Sequence, residues 1–176
     1  MIGNNHREAV RVLVIVVFLF ALMIPVFFYA ARKNIALPMQ RLQEKKSISV
    51  ADLRDDMRVQ VEIGNIRVRA ETAISKEKKE QGLSDRESLA DGEGMLFAFD
   101  RKGIYMFWNK DMRFPLDLIW IDGDIIVDIY ENLPMFSGAP VTLTPQAPGD
   151  VVLEVNAGFV KAHGIRKGDT VRISQH

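Results

Sequence analysis

Hydrophobic and polar residues alternate with period two through VQVEIGNIRVRAE, a pattern that places every second side chain on one face of an extended chain. Val59, Val61 and Ile63 share a face, Gly64-Asn65 offers a tight turn, and Ile66, Val68 and Ala70 then alternate with Arg67, Arg69 and Glu71. The stretch predicts a hairpin with one wet face. After Gly94, short β-branched and aromatic runs recur: MLFAF (95–99), IYMFW (104–108), LDLIWI (116–121), IIVDIY (125–130), VVLEV (151–155) and DTVRIS (169–174). Asp122-Gly123-Asp124 supplies a hairpin turn, and the unbroken apolar character of 116–121 predicts a strand buried on both faces. Between the strands, Lys76 to Gln81 reads as a charged helical turn stopped by Gly82. Ser84 and Glu87 match a capping box that would open a second short helix ending near Gly92. AGFVKAHG (157–164) reads as a third, closed by Gly164, and Pro134, Pro140, Pro145 and Pro148 mark a loop. The expected fold is mainly β: a compact antiparallel β-sandwich or barrel, jelly-roll-like, with two or three short helices.

The N-terminal pattern differs. Residues 12–31, VLVIVVFLFALMIPVFFYAA, carry no charge and, at about 1.5 Å per residue, reach the ~30 Å of a bilayer core, so they predict a transmembrane helix. Pro25 is tolerable in that setting. A cleaved signal peptide is the rival reading, weakened by the length of the apolar run and by Phe28 or Tyr29 where a small residue would precede the cut. The chain is then organised as a tail (1–11), a membrane helix (12–31), a polar juxtamembrane linker (32–56) and a β-rich domain (57–176). The expected location is the cell membrane, in a single pass, with the lipid bilayer as partner of the helix. An N-terminal anchor usually leaves the following domain outside the cytoplasm. The flanking charges argue the other way, because Arg7 and Arg11 precede the helix whereas Arg32, Lys33, Arg41, Lys45 and Lys46 follow it.

Charge and composition narrow the chemistry. Lys and Arg total 23 and Asp and Glu total 23, so there is no basic excess and no nucleic-acid partner is expected. Cysteine is absent, which removes disulfides, thiolate nucleophiles and zinc–thiolate sites. His163 is the one histidine inside the β domain apart from the terminal His176, and it reads as a helix-terminal cation, so a serine-type triad lacks its base. No metal site is expected: no His pair has ligand spacing, and Asp122, Asp124 and Asp128 straddle a strand without a closing Glu. No phosphate-cradling glycine loop or other cofactor motif is present.

The ordered blocks GLSDRESL, GMLFAF, FWNKDMRFPLDLIWID, VVLEVNAG and GIRKGD, spread from about Val59 to Ile173, resemble Domain of Unknown Function family 192. The resemblance implies a compact β-rich fold of sandwich or jelly-roll type, often behind an N-terminal signal or anchor, with no established biochemical activity. One departure stands out: where the family has Trp-Met-Lys-Asn, this chain has Trp108-Asn109-Lys110-Asp111, which puts in doubt any role for a neutral amide at position 111.

The candidate polar residues are Arg86, Trp108, Lys110, Asp111, Asp117 and Glu154. The charged turn NKDMRFP joins two aromatic segments and is expected at one rim of the fold, approaching Arg86, where loops on a rigid scaffold commonly hold binding groups. Asp117 and Glu154 each interrupt an apolar strand; Asp117 reads as a structural carboxylate satisfying a turn and Glu154 as a residue of the wet face, and the alternative for both is half of an acid pair. Three function classes follow. The first is a membrane-anchored, non-catalytic β domain binding an unknown ligand or protein partner, with the cell envelope as one setting. The second is an envelope hydrolase or transferase that needs two of Asp111, Asp117 and Glu154 in one pocket. The third is a scaffold subunit of a membrane complex. The catalytic residues of the second class are not identifiable from sequence.

Overall fold

A computed structural model describes residues 47–175. The expected membrane helix and tail, and most of the linker, lie outside the described residues. Among those described, no helix is long and apolar enough to cross a membrane.

Nine strands form: β1 (Arg58–Ile63), β2 (Ile66–Ala73), β3 (Glu93–Gly103), β4 (Phe107–Trp108), β5 (Leu116–Asp122), β6 (Ile125–Leu133), β7 (Thr142–Leu143), β8 (Gly149–Asn156) and β9 (Val171–Gln175). Two short helices, α1 (Lys76–Gln81) and α2 (Phe159–His163), and a 3-10 turn (Val50–Asp52) complete the set among the described residues. Seven strands make one sheet in the order β6-β5-β8-β3-β2-β1-β9, and β4 pairs with β7 apart from it. The predicted hairpin at Gly64-Asn65 is present, with Ile63 opposite Ile66. Gly64 takes a φ of +58°, which its missing Cβ permits at no steric cost.

The fold is mainly β, as expected of the sandwich or barrel the sequence suggests, but the sheet is not wholly antiparallel. It is mixed, because β2 and β3 run parallel, and it curls into a half-barrel. A parallel pair needs a crossover connection, and residues 74–92 provide it. At one end the two outer strands are stitched together. Ile125 bridges Thr170, Val171 N–H donates to Asp124 O at 2.7 Å, and Gly168 N–H donates to Ile126 O at 2.8 Å.

Alternation along the strands gives each face its own core. The inner core draws Val61, Val68, Leu96, Ile119, Leu153 and their neighbours from across the sheet, closed by Val160 of α2 and by Leu53. Residues 47–56, assigned by sequence to the end of the linker, pack here: Ser47 pairs with Ser174, and Ile48 N–H donates to Ile173 O at 3.0 Å. The outer core gathers Met95, Phe97, Leu118, Trp120 and Val152 under Leu83, Leu89, Phe107 and Met112. Strand β5 is buried on both faces, as its apolar run predicts.

One predicted element is absent and another is shortened. Residues 84–92 form turns rather than a helix, because Asp85 sits at φ +63° and the Ser84 hydroxyl donates to Lys110 O instead of capping. The run 104–108 keeps only two strand residues, and these pair with β7, not with the main sheet. Helix α1 forms as predicted: Ser75 Oγ accepts from Lys78 N–H at 3.2 Å, and Gly82 at φ +51° ends it.

Candidate functional site

Glu154 occupies a position where an apolar residue would cost less. Its neighbours across the sheet, Met95 on β3 and Leu118 on β5, share its outer face, and it is 4 % exposed. No described side chain or backbone group bonds to it. Burial alone disfavours its charge and pushes its pKa up to about 8, so at neutral pH the carboxyl keeps its proton. Its side chain forms part of the floor of a cavity of about 430 Å³.

The cavity owes its walls to the crossover and to the segment after β3. Helix α1 contributes Lys76, Lys79 and Glu80, and the segment 105–108 contributes aromatic rings. Phe99 and Tyr105 stack with centroids 3.5 Å apart, and Phe107 stands edge-on to both Phe97 and Trp120. Trp120 Nε1–H donates to Tyr105 O at 3.3 Å, which pins the segment to the sheet. Lys79 Nζ lies 4.5 Å from the centre of the Phe99 ring, and burial lowers its pKa against the opposing pull of Asp100 and Asp55.

The structure divides the six candidate residues. Trp108, 47 % exposed, and Glu154 line the cavity together. Lys110 and Asp111 lie in the adjoining turn, whose backbone docks on the crossover: Asp85 N–H donates to Asp111 O at 3.0 Å. Arg113 pairs with Glu87, while Met112 points into the outer core, so the charged turn between aromatic segments is a clasp between two loops. Asn109 secures it further, donating from Nδ2 to Pro134 O at 2.8 Å and accepting from Val141 N–H at 2.7 Å. Asp111 borders a separate depression with Asp85 and Arg113.

Arg86 does not meet the turn through its side chain. It binds Glu71 at 2.9 Å, and Lys78 binds the same carboxylate at 3.0 Å. Burial would raise the Glu71 pKa, but Arg86 and Lys78 outweigh it and hold the group down at about 2. Asp117 faces the inner core, opposite to Glu154, because it pairs with Val155 while Leu118 pairs with Glu154. Its two oxygens accept from Asn132 N–H and Val160 N–H, both at 2.9 Å, tying β6 and α2 to the sheet. Replacing Asp117 with Ala should leave both amides unsatisfied and cost about 2 kcal/mol in urea unfolding, whereas Asn should retain part of that. An alanine variant as stable as the parent would remove this role.

Sequence reasoning missed the cavity lining: Phe97, Phe99, Tyr105 and Lys79. Their aromatic spacing signals core, and only the crossover turns part of that core into a wall. Glu71 was missed as well, since alternation with Arg67 and Arg69 reads as a wet face. Among the described residues, no three His, Asp or Glu side chains converge in a way that could hold a metal ion.

Comparison with known families gives a match to DUF192, described as Uncharacterized ACR, over residues 59–173. The chain belongs to this family. Two solved structures are similar. One, from Sinorhizobium meliloti 1021, is described as a candidate transcription regulator; it is 34 % identical, with a TM-score of 0.58, over 65 % of this chain and 90 % of that one. Another, from Novosphingobium aromaticivorans DSM 12444, is described as a protein of unknown function; it is 26 % identical, with a TM-score of 0.57, over 72 % of this chain and 97 % of that one. Comparison with curated proteins returned no match. The family carries no assigned activity, so the cavity geometry has to supply the functional reading.

Proposed function

We propose that the domain is a non-catalytic binding module that takes a small molecule with an aromatic or branched apolar body into the cavity above Glu154. The observation that carries this reading is the combination of aromatic walls, about 430 Å³ of space and one buried polar group without an internal partner. Small-molecule sites have this composition: mostly apolar lining, a few oriented polar groups and a volume of roughly 300 to 1,000 Å³. The hydrolase alternative loses its acid pair, since Asp117 lies on the other face of the sheet and Asp111 borders another depression. A nucleic-acid role, which the description of the Sinorhizobium protein would suggest, finds no support in the balanced charge.

Trp108 on the wall supplies a reporter. In the full-length chain held in non-ionic detergent, 2-phenylethanol should change the tryptophan fluorescence saturably. Phe99→Ala, which removes the stacked wall, should weaken that binding about tenfold. A linear, unsaturable response, or equal affinity in the variant, would remove the cavity as the binding site.

The apolar segment 12–31 supports a membrane tether for this module, with the β domain outside the cytoplasm. Protease access to a C-terminal tag tests that placement. Cleavage in spheroplasts without permeabilisation is the expected result, and protection until permeabilisation would reverse it.

A further inference from the structure

Most buried carboxylates in this domain have a partner of their own. Asp117 has two amides, Glu71 has the three cations Arg58, Lys78 and Arg86, and Asp128 has Lys167 and the amides of Ile129 and Gln146. Glu154 has none among the described residues, although it is among the most enclosed of these groups. A partnerless carboxyl destabilises a fold, and a leucine or methionine would fill the same row of the sheet at less cost. The group is therefore placed for something that arrives from outside.

The surroundings define the charge of that visitor. The cavity mouth carries Lys76 and Lys79 from α1, balanced by Glu80 from α1 and Asp100 from β3. Across the sheet, Met95 and Leu118 flank Glu154 and bring no charge. Glu71 lies in the same row beyond Met95 and is already neutralised by Arg86 and Lys78. The uncompensated ionisable group inside is thus an acid, and its natural complement is a cation. The walls suit the same sign, since an aromatic face attracts an ammonium group, and Lys79 already rests on Phe99 in this way.

Building on the cavity reading above, we propose that the ligand is an organic cation, an amine with an aromatic or branched apolar body whose ammonium group pairs with Glu154. On entry the carboxylic acid gives its proton to solvent and becomes the carboxylate of an ion pair; no covalent bond forms. The free domain thus keeps a neutral floor, and the charge appears only when its counter-ion is present.

Calorimetry on the full-length chain in non-ionic detergent tests this with three probes of similar shape: 2-phenylethylamine, 2-phenylethanol and 3-phenylpropanoate. At pH 7, in two buffers of different ionisation heat, the amine should bind tightest and release about nine-tenths of a proton. Its affinity should rise about tenfold by pH 9, where Glu154 is already ionised. Glu154→Gln should abolish both the proton release and the preference for amine over alcohol. If that variant does not fold, the proton release and the pH dependence of the parent chain decide alone. Alcohol binding with no amine preference or proton release would overturn the amine inference and leave the cavity reading standing. So would tighter binding of the propanoate. No binding of any probe would overturn both.

Discussion

Glu154→Gln should stabilise the domain by about 4 kcal/mol at pH 8 while changing it by about 1 kcal/mol at pH 5. The sign follows from the two proton affinities. In the unfolded chain the carboxyl loses its proton near the ordinary glutamate value, roughly 4.3. In the fold, burial raises that point to about 8. Between these limits the native state binds more protons than the unfolded state, so stability falls as pH rises from about 4 to about 8. Glutamine resembles the protonated acid in shape and polarity and cannot ionise, so it removes the slope. Urea unfolding of parent and variant at pH 5, 6.5 and 8 measures it. Parallel stability curves would show that Glu154 is hydrated or paired in solution and would remove the premise of the cation proposal.

Glu71→Gln should act in the opposite sense. Glu71 is held at about 2 by Arg86 and Lys78 against the effect of burial, so its ionised form stabilises the fold. That contribution is present above the unfolded value of roughly 4.3 and disappears as pH falls through about 2. At pH 7 the variant should lose about 3 kcal/mol, because the glutamine leaves Arg86 without its carboxylate and Lys78 with only Asp56. At pH 2 and below the difference should largely vanish. Together the two glutamates predict a stability maximum near pH 4. If the variant kept the acid limb of the parent's stability curve, the Glu71 cluster would not be its source.

The hairpins at Gly64 and Gly123, the buried strand 116–121 and the glycines that end the two helices, Gly82 and Gly164, were legible in the sequence because short-range alternation and turn chemistry specify them. The parallel pairing of β2 with β3 was not. It depends on where the crossover docks, and that is decided by Leu83 and Leu89 entering the outer core rather than by any local pattern. The same long-range decision hid the site. Trp108 and Glu154, forty-six positions apart, were both placed in the candidate polar cluster, yet only the crossover and the stacked ring of Tyr105 bring them to one cavity. Period-two reasoning also placed Asp117 and Glu154 in strands without their relative facing, which depends on the register between β5 and β8.

That parallel pair divides the work between the two faces of the sheet. A hairpin at this point would have left the outer face bare, whereas the crossover must travel the length of the sheet and lays α1 and its flanking loops over that face. Apart from Ile74, which touches both, the inner core and the stitched seam between Asp124 and Val171 do not depend on the residues that wall the cavity. Changes in the crossover can therefore redraw the chamber without reaching the barrel interior, so chains with this architecture are free to diversify in what they hold while remaining alike in how they fold.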